Sequence, residues 1–303
     1  MSLVLPVAGV VVNPWLILSI GLFAGFCSGL LGVGGGFIMT PLLITMGIDP
    51  VIAAASGTNA IVGASTTGTV THLRSGNIDM KLGVLLLSGG ILGGGAGTFL
   101  IKVLRARGNA VDLIIFSYIF LLAVMGSMMF VDGLSSRVRE ERETQSESFL
   151  FRLLRRIPGK TTFRVSGIEI SPLVPFLLGT LVGILAAVMG VGGGFFLVPA
   201  MTFALAIPMR VVVGTNLFQM VFATASVTIM QALMNHSVDA VLGLTLIVGA
   251  ALGARVGAAF SRVLKGDQLK LLFALLVLAL SIKMANDLLR IPINLLGSSG
   301  TPR

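Results

Sequence analysis

Long apolar stretches separated by short polar ones dominate the sequence. Six of these stretches each have about the length of one helix crossing the roughly 30 Å of bilayer hydrocarbon. They lie at residues 50–72, 82–104, 111–131, 209–234, 240–263 and 268–290. The pattern predicts a polytopic α-helical membrane protein.

Two further apolar regions, 14–47 and 172–206, are interrupted by glycine runs. Both interruptions have the sequence GVGGG, at residues 32–36 and 190–194. Consecutive glycines stop a helix, because each costs about 1 kcal/mol relative to alanine. The piece after the first run ends near Met46 and is only about 18 Å long, at about 1.5 Å per residue. We therefore predict that each region is a re-entrant pair: a helix, a glycine tip and a half-helix that returns to the same side.

The two interrupted regions are copies of one another, beginning with Gly25 and Gly183. The same offset of 158 residues relates Gly32, Gly34, Gly35, Gly36, Phe37 and Pro41 to Gly190, Gly192, Gly193, Gly194, Phe195 and Pro199. The likeness continues at an offset of 157 for Gly57, Thr58 and Asn59 with Gly214, Thr215 and Asn216. It ends at an offset of 160 for Asp79, Gly83, Gly89, Gly93 and Gly97 with Asp239, Gly243, Gly249, Gly253 and Gly257. The chain is therefore an internal duplication.

The duplication predicts three segments: a first transmembrane repeat at 1–131, a linker at 132–171 and a second repeat at 172–303. Each repeat has a re-entrant pair and three crossing helices. An odd number of crossings turns the second repeat upside down relative to the first. We therefore expect an all-α, two-half inverted-repeat bundle, an arrangement common in secondary transporters.

Composition and charge agree with a membrane protein. Hydrophobic residues make up 55% of the chain and charged residues only 11%, whereas soluble domains carry about 25% charged residues. The net charge of +9 does not indicate nucleic-acid binding, because Lys and Arg lie in loops and the linker without interleaved aromatics. A single cysteine, Cys27, excludes a disulfide framework or a cysteine-based metal site within one chain. We predict neither a metal nor a cofactor.

Positive charge also predicts the orientation. Eight basic residues in the linker favour a cytoplasmic location, and residues 149–157 read as an amphipathic helix on the anionic leaflet or as a solvated loop. Against this arrangement, Lys102, Arg105 and Arg107 would lie outside. Residues 1–13 lack the positively charged segment of a secretory signal peptide, so we expect them to be retained.

The glycine runs are candidate anion sites. A glycine turn that leads into a helix presents backbone N–H groups at the positive end of the helix dipole. Here the N–H groups would come from Gly34, Gly35 and Gly36 and from Gly192, Gly193 and Gly194. In an inverted repeat the two tips would face each other near the membrane midplane. Close helix packing is the alternative for such glycines, and a nucleotide loop is excluded by the lack of a Walker or dinucleotide-binding pattern.

Five polar side chains lie early in long apolar helices and could donate hydrogen bonds to an anion: Thr58, Asn59, Thr215, Asn216 and Gln219. Hydrogen bonds between helices, which contribute about 0.6 kcal/mol each on average, are the alternative role.

Glycine also recurs every fourth residue at 89–97 and 249–257, where helix packing is expected. Arg255 lies inside the second of these stripes. It is either a functional residue or a side chain that extends to the membrane surface.

These residues resemble a known family. The duplicated Gly-x-Gly-Gly-Gly run with a proline five residues later, followed by Gly-Thr-Asn, is similar to the TauE/SafE sulfite exporter family of anion permeases. The likeness covers both halves and omits the linker. It implies transport of sulfur-containing anions such as sulfite, sulfonates or other organosulfur acids, across a bacterial inner membrane.

No Asp or Glu lies in the middle of a span, so a buried proton carrier is not visible. Export could instead follow the inside-negative potential, which contributes about 2.3 kcal/mol per charge per 100 mV. An anion channel and an importer remain alternatives. An intramembrane enzyme would need Ser56 or Ser65 to act with His72. The sequence leaves the oligomeric state open, with a small anion and membrane lipid as the expected partners.

Overall fold

The computed structural model describes residues 3–31, 34–139, 159–205, 207–260, 274–275 and 277–286. In the first half α1 is Pro14–Leu31, α2 Gly36–Thr45, α3 Pro50–Arg74, α4 Met80–Ala106 and α5 Ala110–Arg139. In the second half α6 is Leu173–Met189, α7 Gly194–Pro199, α8 Met209–Asn235, α9 Ala240–Phe260 and α10 Val277–Asn286.

Within the described residues, four helices are long and apolar enough to cross a membrane. They are Met80–Ala106, Ala110–Ser127, Met209–Asn235 and Ala240–Gly257. Shorter apolar helices, α1 and α6 among them, accompany these four. The chain is therefore an all-α, multi-pass membrane protein. The span expected at 268–290 is described only in part, and the amphipathic segment expected at 149–157 lies outside the described residues.

Both glycine runs interrupt the helices. Gly34 and Gly35 have φ angles of 92° and 63°, and Gly192 and Gly193 have 71° and 74°. This left-handed backbone is strained for any residue with a side chain, so glycine at these positions ends one helix and lets the chain turn into the next. After the second turn, α7 leads directly into a π-helical turn at Ala200–Ala204, beside a proline that has no N–H for the α-helical pattern.

Each half begins with a short β-hairpin that the sequence analysis did not predict. The first pairs β1, Leu3–Val4, with β2, Val11–Val12. The second pairs β3, Thr161–Phe163, with β4, Ile168–Ile170. Their registers repeat at the offset of 158 residues already found for the helices. The second hairpin lies within the segment predicted to be linker, and α5 continues to Arg139.

Two buried carboxylates fasten the hairpins to the helices. Oδ2 of Asp239 accepts hydrogen bonds from the amides of Val7 and Ala8, at 2.9 and 3.3 Å. Oδ2 of Asp79 accepts from the amide and hydroxyl of Ser166, at 3.0 and 2.9 Å. The other oxygen of each carboxylate caps its own helix, α9 or α4. The hairpins therefore belong to the folded bundle.

The helices of the two halves pack across each other. The most extensive contacts join α1 to α9 and α4 to α6. The first helix of each half therefore packs against the helix of the other half that carries the glycine stripe. A Cβ built on Gly25 would lie 2.2 Å from the carbonyl oxygen of Ala250. The equivalent contact recurs in the other pair, where a Cβ on Gly183 would lie 2.2 Å from the carbonyl oxygen of Gly90. The glycine stripes serve close backbone packing, as expected.

The centre of the bundle holds α3 and α8 side by side. Gly68, near the C-terminal end of α3, lies against Leu217, near the start of α8. Gly214 lies against His72 one turn further along. The two helices are therefore antiparallel, and both broken segments pack against them.

Candidate anion site at the two glycine tips

The first glycine tip is Gly34–Gly36, and the second is Gly192–Gly194. All six glycines are buried. The residues that follow them, Phe37 and Phe195, stack with ring centroids 4.9 Å apart and an interplanar angle of 14°. The fold therefore brings the two tips together inside the protein.

Two apolar side chains contact both tips. A Cβ built on Gly34 would lie 2.0 Å from Cε of Met220, and one built on Gly192 would lie 2.8 Å from the same atom. Cδ1 of Ile61 would lie 2.5 Å from a Cβ on Gly36 and 2.9 Å from one on Gly192. A side chain on Gly34 or Gly192 would therefore force Met220 or Ile61 to move. The distances also show that one methionine of α8 and one isoleucine of α3 cover glycines from both halves.

Backbone contacts hold the second tip against α3 and α2. A Cβ on Gly36 would lie 2.5 Å from the carbonyl oxygen of Gly190, and one on Gly190 would lie 2.2 Å from the carbonyl oxygen of Ala54. The fully buried Tyr118 of α5 donates its hydroxyl to the carbonyl of Met189, the last residue of α6. The turn is thus fixed by neighbours on several sides.

Both tips lie at the N-terminal ends of helices, α2 and α7. The first N–H groups of a helix have no partner within it, and the aligned peptide dipoles give this end a partial positive charge. At the first tip the N–H of Gly36 donates to the carbonyl of Gly34 at 2.7 Å. Two such ends meet in a buried place of low dielectric, where each interaction with a negative charge is stronger than in water. The site could therefore hold an anion through backbone amides, with no Lys or Arg side chain needed.

Three of the predicted polar side chains make contacts within the helical framework. The Thr58 hydroxyl donates to a carbonyl one turn earlier in α3, at 2.7 Å. Asn59 is half-buried, with Nδ2 2.6 Å from a Cβ built on Gly243 of α9. Oγ1 of Thr215 accepts the amide of Asp79 at 3.0 Å. The contacts of Asn59 and Thr215 therefore join neighbouring helices, whereas the Thr58 hydrogen bond stays within α3.

The other two predicted side chains lie on α8 close to Met220 in the sequence, and Nε2 of Gln219 lies 2.8 Å from a Cβ built on Gly90 of α4. Asn216 precedes it by one turn, is fully buried, and has Nδ2 3.4 Å from the methionine sulfur. Gln219 is also buried, and its Oε1 has no hydrogen-bond partner among the described residues. A flip of this amide would exchange the acceptor for a donor at the same place. Asn216 is therefore the predicted polar side chain nearest to the residue that covers both tips.

The remaining candidates lie apart from the tips. Arg255 is exposed on α9. Ser56 accepts the amide of Asp239 and is separated from His72 by about 24 Å along α3, at about 1.5 Å per residue. Ser65 and His72 are about 10 Å apart on the same scale, beyond hydrogen-bond reach. In the described structure neither serine is therefore paired with His72 as nucleophile and base.

Sequence reasoning missed Ile61, Met220 and Tyr118 as parts of this site. Two of them are apolar residues within apolar helices and carry no chemical signal of their own. Tyr118 is the only tyrosine of the chain, but its partner is a backbone carbonyl that no pattern indicates. The paired Phe37 and Phe195 were visible as a repeat, although their stacking was not.

A bundle with two glycine-broken helices meeting among membrane-crossing helices defines the class of multi-pass membrane transporters. Residues 17–284 match the family model described as sulfite exporter TauE/SafE. The chain therefore belongs to the TauE/SafE family, and it is a membrane transporter. The resemblance inferred from the glycine runs is confirmed.

Named relatives agree with this assignment. The chain is 27% identical to the probable membrane transporter protein YjnA of Bacillus subtilis, over 88% of this chain and 98% of that protein. It is 24% identical to the probable membrane transporter protein YunE of the same organism, over 80% and 86%. A shorter match, 30% identical over 38% of this chain and 23% of the relative, is to the sulfite exporter TauE/SafE family protein 3 of Arabidopsis thaliana. No solved structure matches at a significant level.

Proposed function

We propose that the protein exports small sulfur-containing anions, such as sulfite, sulfonates or organosulfur acids, and that it binds them between the two glycine tips. The observation that carries the proposal is the meeting of the tips. Phe37 stacks on Phe195, and Met220 contacts a glycine of each tip. Two helix N-termini that converge in a buried space favour a ligand with negative charge.

Alternating access requires two similar gates on either side of one site. Antiparallel α3 and α8, the repeated hairpins and the equivalent contacts of Gly25 and Gly183 support an inverted relation between the halves. Inverted halves can exchange conformations, so that the site opens first to one side and then to the other. We propose that residues 14–45 and 173–204 are the re-entrant elements of this motion.

The charge of the substrate favours export. An anion moving outward across an inside-negative membrane gains about 2.3 kcal/mol per charge per 100 mV. Bacterial relatives that cover most of the chain support residence in a bacterial cell membrane, and in an inner membrane where the cell has two. Asn216 and Gln219 are the side chains that we expect to assist the tip amides.

Proteoliposomes loaded with radiolabelled sulfite or sulfoacetate would test the proposal. We expect saturable flux that increases when the compartment containing the anion is made negative. Flux without saturation, together with single-channel currents, would identify a channel instead. Flux that required a proton gradient and ignored the membrane potential would contradict electrogenic export, and net movement only inward would indicate an importer.

Gly34→Ala tests the tip itself. The added methyl group would meet the flexible end of Met220 and cover the tip amides, so we expect sulfite flux to fall by about tenfold or more. Gly76→Ala is the matched control, because Gly76 also has positive φ, at 67°, but a Cβ there meets nothing within 4 Å. Equal flux in the two folded variants would argue against binding at the tips.

A further inference from the structure

We infer that Met220 and Ile61 form an apolar gate over the anion site and set the size of the anion that can enter it. This inference rests on the proposed function. It starts from the position of Met220, whose terminal methyl lies against Gly34 of one half and Gly192 of the other. A single side chain therefore covers both tips.

Ile61 completes the cover from the opposite helix. Its Cγ2 would lie 3.4 Å from a Cβ on Gly34 and 3.0 Å from one on Gly192, while its Cδ1 faces Gly36. Ile61 and Met220 are 1% and 0% exposed. An anion can approach the tip amides only if at least one of these side chains moves.

The two side chains differ in flexibility, so they have different roles in the gate. Isoleucine is branched at Cβ and has one strongly preferred χ1 rotamer in a helix. Methionine is unbranched, has three rotatable side-chain bonds and adapts to irregular spaces. Met220 is therefore the moving part, and Ile61 is the fixed wall against which it closes.

Polar groups lie immediately beside the apolar pair. Asn216 is one turn before Met220 and reaches its sulfur with Nδ2. Ser65 is one turn after Ile61, and its Oγ is buried without a hydrogen-bond partner among the described residues. Movement of Met220 would thus expose the Asn216 amide next to the tips. The same movement would open the gate and add a hydrogen-bonding side chain to the anion site.

Met220→Ala tests the size limit. The measured quantity is the ratio of initial sulfoacetate flux to initial sulfite flux in proteoliposomes. Removing the methionine should raise this ratio by about tenfold, the scale on which pockets discriminate groups of this size. Met220→Leu, which keeps most of the volume, should leave the ratio near that of the unmodified protein.

Met230→Ala is the matched control. Met230 lies on the same helix and also packs on a glycine, Gly95 of α4, with its sulfur 3.7 Å from a built Cβ. It does not lie among the contacts of the tips, so its removal should leave the flux ratio unchanged. If Met220→Ala does not fold, Met220→Val removes less volume, and its ratio must change in the same direction.

A second readout does not need transport. In a Cys27→Ala background, Ser65→Cys would be the only cysteine of the chain. Its reaction with a water-soluble methanethiosulfonate should accelerate when Ile61→Ala is added. Ile247→Ala, which removes an isoleucine packed on Gly63, is the control and should not accelerate it.

The outcomes separate the two proposals. If the unmodified protein transports sulfite or sulfoacetate and Met220→Ala behaves like Met230→Ala, the gate is wrong while the proposed function stands. If the unmodified protein transports neither anion, the proposed function is wrong. In that case equal labelling rates in the Ile61 and Ile247 variants would overturn the gate independently.

Discussion

Asp79 and Asp239 are single residues that connect distant parts of the chain. Each caps the N-terminus of its own helix with one carboxylate oxygen and binds a hairpin with the other. Both are almost completely buried, at 3% and 0% exposure. Hydrogen bonds to a buried charge are worth more than those between neutral groups, and a partner left behind without one is costly.

Asp239→Ala should destabilise the protein strongly. The substitution leaves the amides of Val7 and Ala8 and two amides of α9 without their acceptor. We expect a loss of about 2–5 kcal/mol, measured as a lower midpoint of thermal unfolding in detergent. Asp49→Ala is the control, because this exposed aspartate caps α3 alone and should cost about 1 kcal/mol. Similar midpoints for the two variants would contradict a fastening role.

Part of this residue-scale picture could be predicted from the sequence. The offset of 160 identifies Asp79 and Asp239 as equivalent, and an aspartate before an apolar run is a helix-start signal. Their hairpin partners were not predictable, because the donors are mostly backbone amides, which no side-chain pattern marks. For the same reason the covering role of Met220 appears only when the tips are brought together.

At the scale of helices, the glycine stripes determine how closely neighbours approach. Gly93 of α4 has the carbonyl oxygen of Thr180 only 1.9 Å from a built Cβ, whereas Gly95 of the same helix meets only Met230, at 3.7 Å. A backbone atom cannot move aside as the end of a side chain can. The two glycines, one inside the stripe and one outside it, should therefore differ in their tolerance of a larger residue.

Gly93→Ala should separate α4 from α6 and reduce the yield of folded protein. The expected measurements are a smaller monodisperse peak in size-exclusion chromatography and a lower thermal midpoint. Gly95→Ala should leave both unchanged or raise the midpoint slightly, because alanine is the better helix former by about 1 kcal/mol. Tolerance of alanine at both positions would show that the close packing is not required for folding.

Helix boundaries followed the sequence prediction closely, since both apolar length and glycine interruption act locally. The span expected at 209–234 is the helix Met209–Asn235, and the span expected at 82–104 is Met80–Ala106. The hairpins were missed because each strand has only two or three residues, too few for an alternating pattern to register. Their stability comes from the buried aspartates and the core.

At the scale of the whole molecule, the halves are interlocked. The first helix of each half packs against the other half. The sequence shows the internal duplication, but it does not show that the first helix of each half packs against the other half. A glycine stripe can pack against a helix of its own half or of the other half. The repeated sequence would be the same in either case, so it does not predict which helices are in contact.

Interlocking predicts that neither half is stable alone. Halves made by cutting the chain within residues 140–158 should fail to give monodisperse protein separately, because α1 and α6 lose their main partners. Expressed together, they should co-purify through a tag on one half. A first half carrying Gly93→Ala should capture less of the second half than one carrying Gly95→Ala. Stable, monodisperse single halves would contradict the arrangement.

The pairing of α1 with α9 also decides when the protein can finish folding. About 210 residues separate the end of α1 from the start of α9, and a ribosome adding about 5–20 residues per second needs about ten to forty seconds to make them. Throughout that interval the glycine face of α1 lacks its partner. The newly inserted chain must therefore wait, incompletely assembled, until α9 leaves the ribosome.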